Sequence, residues 1–118
     1  MSIYDYETFE IQNLLHATKL KKKYPKTKLN FLHRHNSVVW QGPVYTKILS
    51  EQLKGKNLNY IVEIGDNIAL TLLLISFKIK IFAIDKKILK NQMEKIFSIT
   101  QNKRIKVIFL DSLNIIEN

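Results

Sequence analysis

The chain has 118 residues, the size of one domain, and its composition is that of a folded globular protein: 46% hydrophobic and 25% charged, with three Gly and two Pro. It has no cysteine, which excludes disulfides, thiolate zinc sites, iron–sulfur clusters and cysteine nucleophiles, and its longest uncharged apolar run, Asn67 to Phe77, falls well short of the roughly 20 residues needed to cross a bilayer. The net charge of +9, from 19 Lys and Arg against 10 Asp and Glu, suits either an anionic partner or solubility alone.

The opening MSIYDYETFE is acidic and polar, with neither the basic start of a secretion signal nor the Arg-rich character of a transit peptide, so the expected compartment is the cytoplasm. From Asp5 to Lys23 the spacing of Phe9, Leu14, Leu15 and Leu20 predicts an amphipathic helix. Lysines crowd its end, where cations suit the helix dipole, and Tyr24-Pro25 stops it. Lys26 to Asn36 reads as a basic, irregular segment anchored by Phe31 and Leu32. Ser37-Val38-Val39-Trp40 is a short strand candidate with Trp40 in the core, and Gly42-Pro43 is a turn.

A regular pattern follows. Val44 to Leu53 is predicted as a helix with Gly55 as its C-cap, Tyr60 to Ile64 as an apolar strand, and Ile68 to Phe77 as a helix. Ile79 to Ile84 is a second strand, Lys87 to Thr100 a helix with Ile88, Leu89, Met93, Ile96 and Phe97 on one side, and Ile105 to Leu110 a third strand. No internal repeat stands out. Apolar strands alternating with helices mean βαβ units and a parallel sheet, here of about four strands covered on both faces. The predicted fold class is α/β: a single domain with an N-terminal helix and basic segment over 1–36 and a Rossmann-like core over 37–118.

Each of the three regular strands ends its apolar run at an acid: Glu63 in VEIG, Asp85 in FAID, Asp111 in IFLD. Ligands of open parallel sheets bind outside the carboxyl ends of the strands, so the three acids are expected around one crevice. Asp85 lies 22 positions after Glu63, close to the roughly 20-residue spacing at which an acid closing the second strand reaches a ribose hydroxyl pair. Strand-ending acids also serve simply as caps and solvated turn residues.

VEIGDNIALTLLL, IKIFAID and KRIKVIFLDSLN, preceded by GPVYTKILSEQL, resemble the cofactor motifs of class I S-adenosylmethionine-dependent methyltransferases, especially the rRNA adenine dimethylase type. The resemblance covers Gly42 to Asn114 and implies a Rossmann-like fold with S-adenosylmethionine as cofactor. It implies that Gly65 lies at the methionine end, that Glu63 braces the glycine loop, that Asp85 binds the ribose and that Asp111 approaches the adenine. Asn67 and Ala69 stand where that family has its second and third glycines, and Asp66 adds a negative charge. The family's Asn/Asp-Pro-Pro-aromatic motif does not occur.

His33-Arg34-His35 on an extended segment would put two rings on one side, although a basic surface turn explains it as well. Lys26, Lys28, Phe31 and Arg34 form the candidate nucleic-acid contact, combining charge for phosphates with a ring for stacking; docking of Phe31 onto the core is the alternative. The expected function is non-catalytic binding of RNA or protein, the alternative a methyltransferase completed by a partner or a second copy. No metal and no membrane are expected, and a homodimer through an open edge strand is among the expected partnerships.

Overall fold

The computed structural model describes residues 2–101 and 103–116. One sheet contains β1 (Glu7–Ile11), β2 (Leu29–His33), β3 (Leu58–Glu63), β4 (Ile81–Ile84), β5 (Lys106–Phe109) and β6 (Asn114–Ile116). The helices are α1 (Leu14–Lys23), α2 (His35–Gln41), α3 (Pro43–Gln52), α4 (Ile68–Ser76) and α5 (Lys90–Thr100). Every strand pairing is parallel, in the spatial order β5-β4-β3-β2-β1-β6. The α/β, Rossmann-like alternation of helices with parallel strands read from the sequence is present, with six strands in place of about four. No helix among the described residues is long and apolar enough to cross a membrane.

The N-terminal third departs most from expectation, because it supplies two strands where a helix and an irregular segment were predicted. Glu7–Ile11 is strand β1, hydrogen-bonded between β2 and β6, and α1 begins only at Leu14, where the Asn13 side chain accepts the His16 N–H at 2.8 Å. Thr8, Phe9 and Ile11 are buried. Five residues are too few to separate a period of 2 from one of 3.6, so pairing decided the state. β2 is buried at all five positions; its flanking lysines and its own Asn30 and His33 disguise it as a polar segment.

Ser37 to Trp40, expected as a strand, is the body of α2, and Trp40, expected in the core, is 89% exposed. Only Val38 of this helix is buried. Gly42, at φ +89°, ends α2 and starts α3, with Pro43 in the first helical position. The C-cap of α3 is Leu53; Gly55 lies beyond it in the connection to β3.

From β1 to β5 each crossover steps to the next strand in the same direction, so right-handed connections place all the helices on one face. The core confirms this. Phe31, Val62, Phe82 and Ile84 of the strands, with Ile64 just after β3, pack with Ala17, Val38, Leu49, Leu74 and Ile96 of the helices. The other face carries Leu32, Ile61, Ala83 and Ile108 with Ile3 and Leu113, none of them from an α-helix. Coverage by helices on both faces, expected from the sequence, is corrected to one.

That second face lies inside a curl. β5 and β6 occupy opposite edges, which in a flat sheet would stand about 24 Å apart at about 4.8 Å per strand. Phe109 and Asn114 are five residues apart and span at most about 18 Å fully extended, less through the 3-10 turn Leu110–Ser112. The sheet therefore bends until its edges approach, and Leu113 and Ile115 pack against the same inner cluster as Ala83. Across the inner face Asn30 donates to Thr8 Oγ1 at 3.1 Å and to the Ile3 carbonyl at 2.8 Å, while Asn59 donates to Asn30 Oδ1 at 3.1 Å. This ladder satisfies the buried polar groups of neighbouring strands.

Candidate functional site

The carboxyl ends of the strands form the mouth of the curl. Because His33 is in register with Val62, the residues that follow, Arg34 and Glu63, are neighbours at the top of β2 and β3. Arg34 donates from Nε to Glu63 Oε1 at 2.7 Å and from Nη1 to Glu10 Oε1 at 2.5 Å, bridging β3 to β1. Burial of the guanidinium opposes its charge, but the hydrogen bonds to Glu63 and Glu10 outweigh it and raise its pKa. Glu63 Oε1 also accepts the His35 N–H at 3.1 Å, so this acid orients the start of α2. Gln12, His16, Ser37 and Ile115 join Glu10 and Arg34 around a hollow of about 710 Å³.

Gly65 follows β3 at φ +60°, in the left-handed region that glycine occupies at no steric cost. The His35 ring lies directly against it. A Cβ on Gly65 would sit 3.0 Å from His35 Nε2, 3.1 Å from Cε1 and 3.2 Å from Cδ2. Asn67 caps α4, its side chain accepting the Leu70 N–H at 2.9 Å. Asp85 accepts the Lys87 N–H at 2.9 Å in a tight turn, and Asp111 pairs with Lys86 at 2.9 Å. The hydrogen bond from Lys86 holds the Asp111 carboxyl below its ordinary range and raises Lys86 in return.

The structure thus brings together two of the three strand-end acids. Asp85 and Asp111 line a common hollow with Lys86, Lys87, Leu110 and Ile115, while Glu63 belongs to the Arg34 network. The four residues singled out for nucleic-acid contact are not brought together. Lys26 and Lys28 precede β2 and Arg34 follows it, about 20 Å from Lys28 along the extended strand. Phe31 is fully buried, so its ring docks the strand and offers no stacking face.

His33 and His35 also part company. His33 is buried under the helices, where its Nε2 meets Gln41 Oε1 and its Nδ1 meets the Tyr60 hydroxyl, both at 2.7 Å. Gln41 donates to the Gln12 carbonyl at 2.6 Å, which turns its oxygen toward His33 and assigns the ring proton to Nε2. Burial lowers the His33 pKa against the opposing hydrogen bond to Gln41, and burial pushes the Tyr60 phenol well above its ordinary range. Among the described residues no group of three His, Cys, Asp or Glu is placed to hold a metal.

The seat of His35 on Gly65 and the Glu10–Arg34 pair were not found from the sequence. Both depend on which strands are neighbours, which no local spacing reports. No protein family, curated protein or solved structure matches this chain.

Proposed function

We propose that this protein is a non-catalytic binding domain, resident in the cytoplasm, that works through a macromolecular partner and not through the methyltransferase cofactor its sequence suggests. The observation that carries the reading is the His35 ring against Gly65. The resemblance puts the methionine end of S-adenosylmethionine at that glycine, and there the chain seats its own side chain. The engagement of Glu63 by Arg34 and of Asp111 by Lys86 supports the same view, since both carboxylates already have cationic partners.

A second reading, a methyltransferase domain completed by a partner or a second copy, draws on two features. Gly65 keeps the left-handed turn, and Asp85 shares a hollow with Asp111. Calorimetric titration with S-adenosylmethionine and S-adenosylhomocysteine separates the two. The binding-domain reading expects no saturable heat from the folded protein; saturable heat abolished by Asp85→Ala would overturn it and establish the second reading.

A further inference from the structure

All four helix-to-strand connections that lead into β2, β3, β4 and β5 are basic. They read YPKTK, LKGKN, FKIK and QNKRI, and none contains an acid. Three carry Lys-x-Lys: Lys26 and Lys28, Lys54 and Lys56, Lys78 and Lys80. The fourth carries Lys103 and Arg104, with Lys106 opening β5.

Parallel strands put all of these connections at one end of the sheet. Because β2, β3, β4 and β5 are successive neighbours, the charged pairs stand side by side at steps of about 4.8 Å. The opposite end holds Glu10, Glu63, Asp85 and Asp111 together with Arg34, Lys86 and Lys87, so charges there largely offset one another while the basic end keeps a positive excess. The acids at the basic end are few: Glu51 lines the same surface, and Asp5 and Glu7 lie at the start of β1.

The surface is grooved. Two hollows, of about 210 and 340 Å³, lie side by side and share Lys54, Gly55 and Leu58 in their walls. One is lined by Lys21, Tyr24 and Lys54, the other by Lys54, Lys78 and Lys80. Lys54, Lys56, Lys78 and Lys80 are exposed and join no ion pair among the described residues. Two connections also hold their charge in an awkward conformation: Lys78 at φ +67° and Arg104 at φ +58° occupy the left-handed region that glycine adopts freely.

We infer that this grooved basic end binds the phosphate backbone of a nucleic acid, contacting phosphates and leaving the bases unread. Resting on the reading of the chain as a partner-binding domain, the inference supplies the surface and the partner class. Evenly stepped ammonium groups match a polymer of evenly spaced charge. An anionic membrane fits less well, because binding there also requires apolar insertion. The large exposed apolar side chains, Trp40 foremost, lie on the helices or before α5, and none lies on these connections. A protein partner would call for a buried apolar centre, which the row of lysines lacks.

Fluorescence anisotropy of a labelled single-stranded RNA tests the inference, with Lys78→Gln/Lys80→Gln compared against Lys90→Gln/Lys95→Gln on α5, which removes the same charge elsewhere. Binding is expected to weaken steeply with salt. The first pair should reduce affinity about tenfold and flatten the log–log salt slope by about 1.4, and the α5 pair should change it less than twofold. Lys78→Gly should weaken binding while the fold, followed by circular dichroism, stays intact or gains stability. Equal losses from the two pairs, no binding of RNA by the intact protein, or tighter binding to phosphatidylserine vesicles than to RNA would each overturn it. The cofactor titration is independent: heat with S-adenosylmethionine refutes the binding-domain reading, whereas the RNA readout addresses the basic groove alone.

Discussion

Gly65→Ala probes the feature on which the functional reading rests. The substitution adds two costs. Holding an L-residue at φ +60° costs about 1–2 kcal/mol, partly offset by the about 0.4–1 kcal/mol that Ala contributes by restricting the unfolded chain. The new methyl also meets the His35 ring at 3.0–3.2 Å, and since that face is the ring itself and not a flexible chain end, relief requires the imidazole to move, at about a further 1 kcal/mol. The expected loss is about 2 kcal/mol, or a fall in Tm of about 8 °C for a domain of this size. In a His35→Ala background only the backbone part remains, so Gly65→Ala should cost about 1 kcal/mol less there. Urea denaturation of the four proteins in the cycle measures both parts. An equal cost in the two backgrounds would show that the ring does not rest on Gly65, and a neutral Gly65→Ala would refute the left-handed turn as well.

Arg34→Ala leaves Glu63, whose side chain is 14% exposed, with only the His35 N–H. Allowing for solvent around an arginine 39% exposed, the loss should be about 2 kcal/mol in urea denaturation. Arg34→Lys should recover less than half of it, because one ammonium lacks the fork that reaches both Glu63 and Glu10; a loss within about 0.5 kcal/mol of zero for Arg34→Ala would refute the bridge. His33 has its pKa lowered by burial, so the folded state favours the neutral ring and the unfolded chain takes up a proton first. Its contribution is therefore fully present above pH 6.5 and declines as pH falls below that value. Urea midpoints across this range should fall more steeply for the wild type than for His33→Gln; parallel curves would refute the assignment.

The residues differ in how much of their fate is local. Apolar strands such as Tyr60–Val62 and Ile81–Ile84, each followed by a helix of its own period, announced α/β layering without knowledge of any contact. Gly65 and Gly42 likewise marked turns that the backbone makes at positive φ. The chain also carries a plainer signal in its charges. Lys-x-Lys ahead of three successive strands is a repeat of charge rather than of hydrophobicity, and it gains meaning only when parallel strands collect those loops at one end.

Tertiary structure decided the rest. Glu7–Ile11 and Leu29–His33 are strands because each is flanked by two others, and pairing satisfies their backbone groups whatever the local pattern of charge. Ser37–Trp40 is β-prone by composition yet helical, its neighbours burying Val38 and leaving Trp40 in solvent. The meeting of Glu10, Arg34 and Glu63 follows from the order of β1, β2 and β3, and the single helical layer from crossovers that never reverse between β1 and β5. Periodicity reports which way a side chain faces within its own element. Which element comes to lie beside it is set by the pairing of distant segments, and that information exists only in the folded chain.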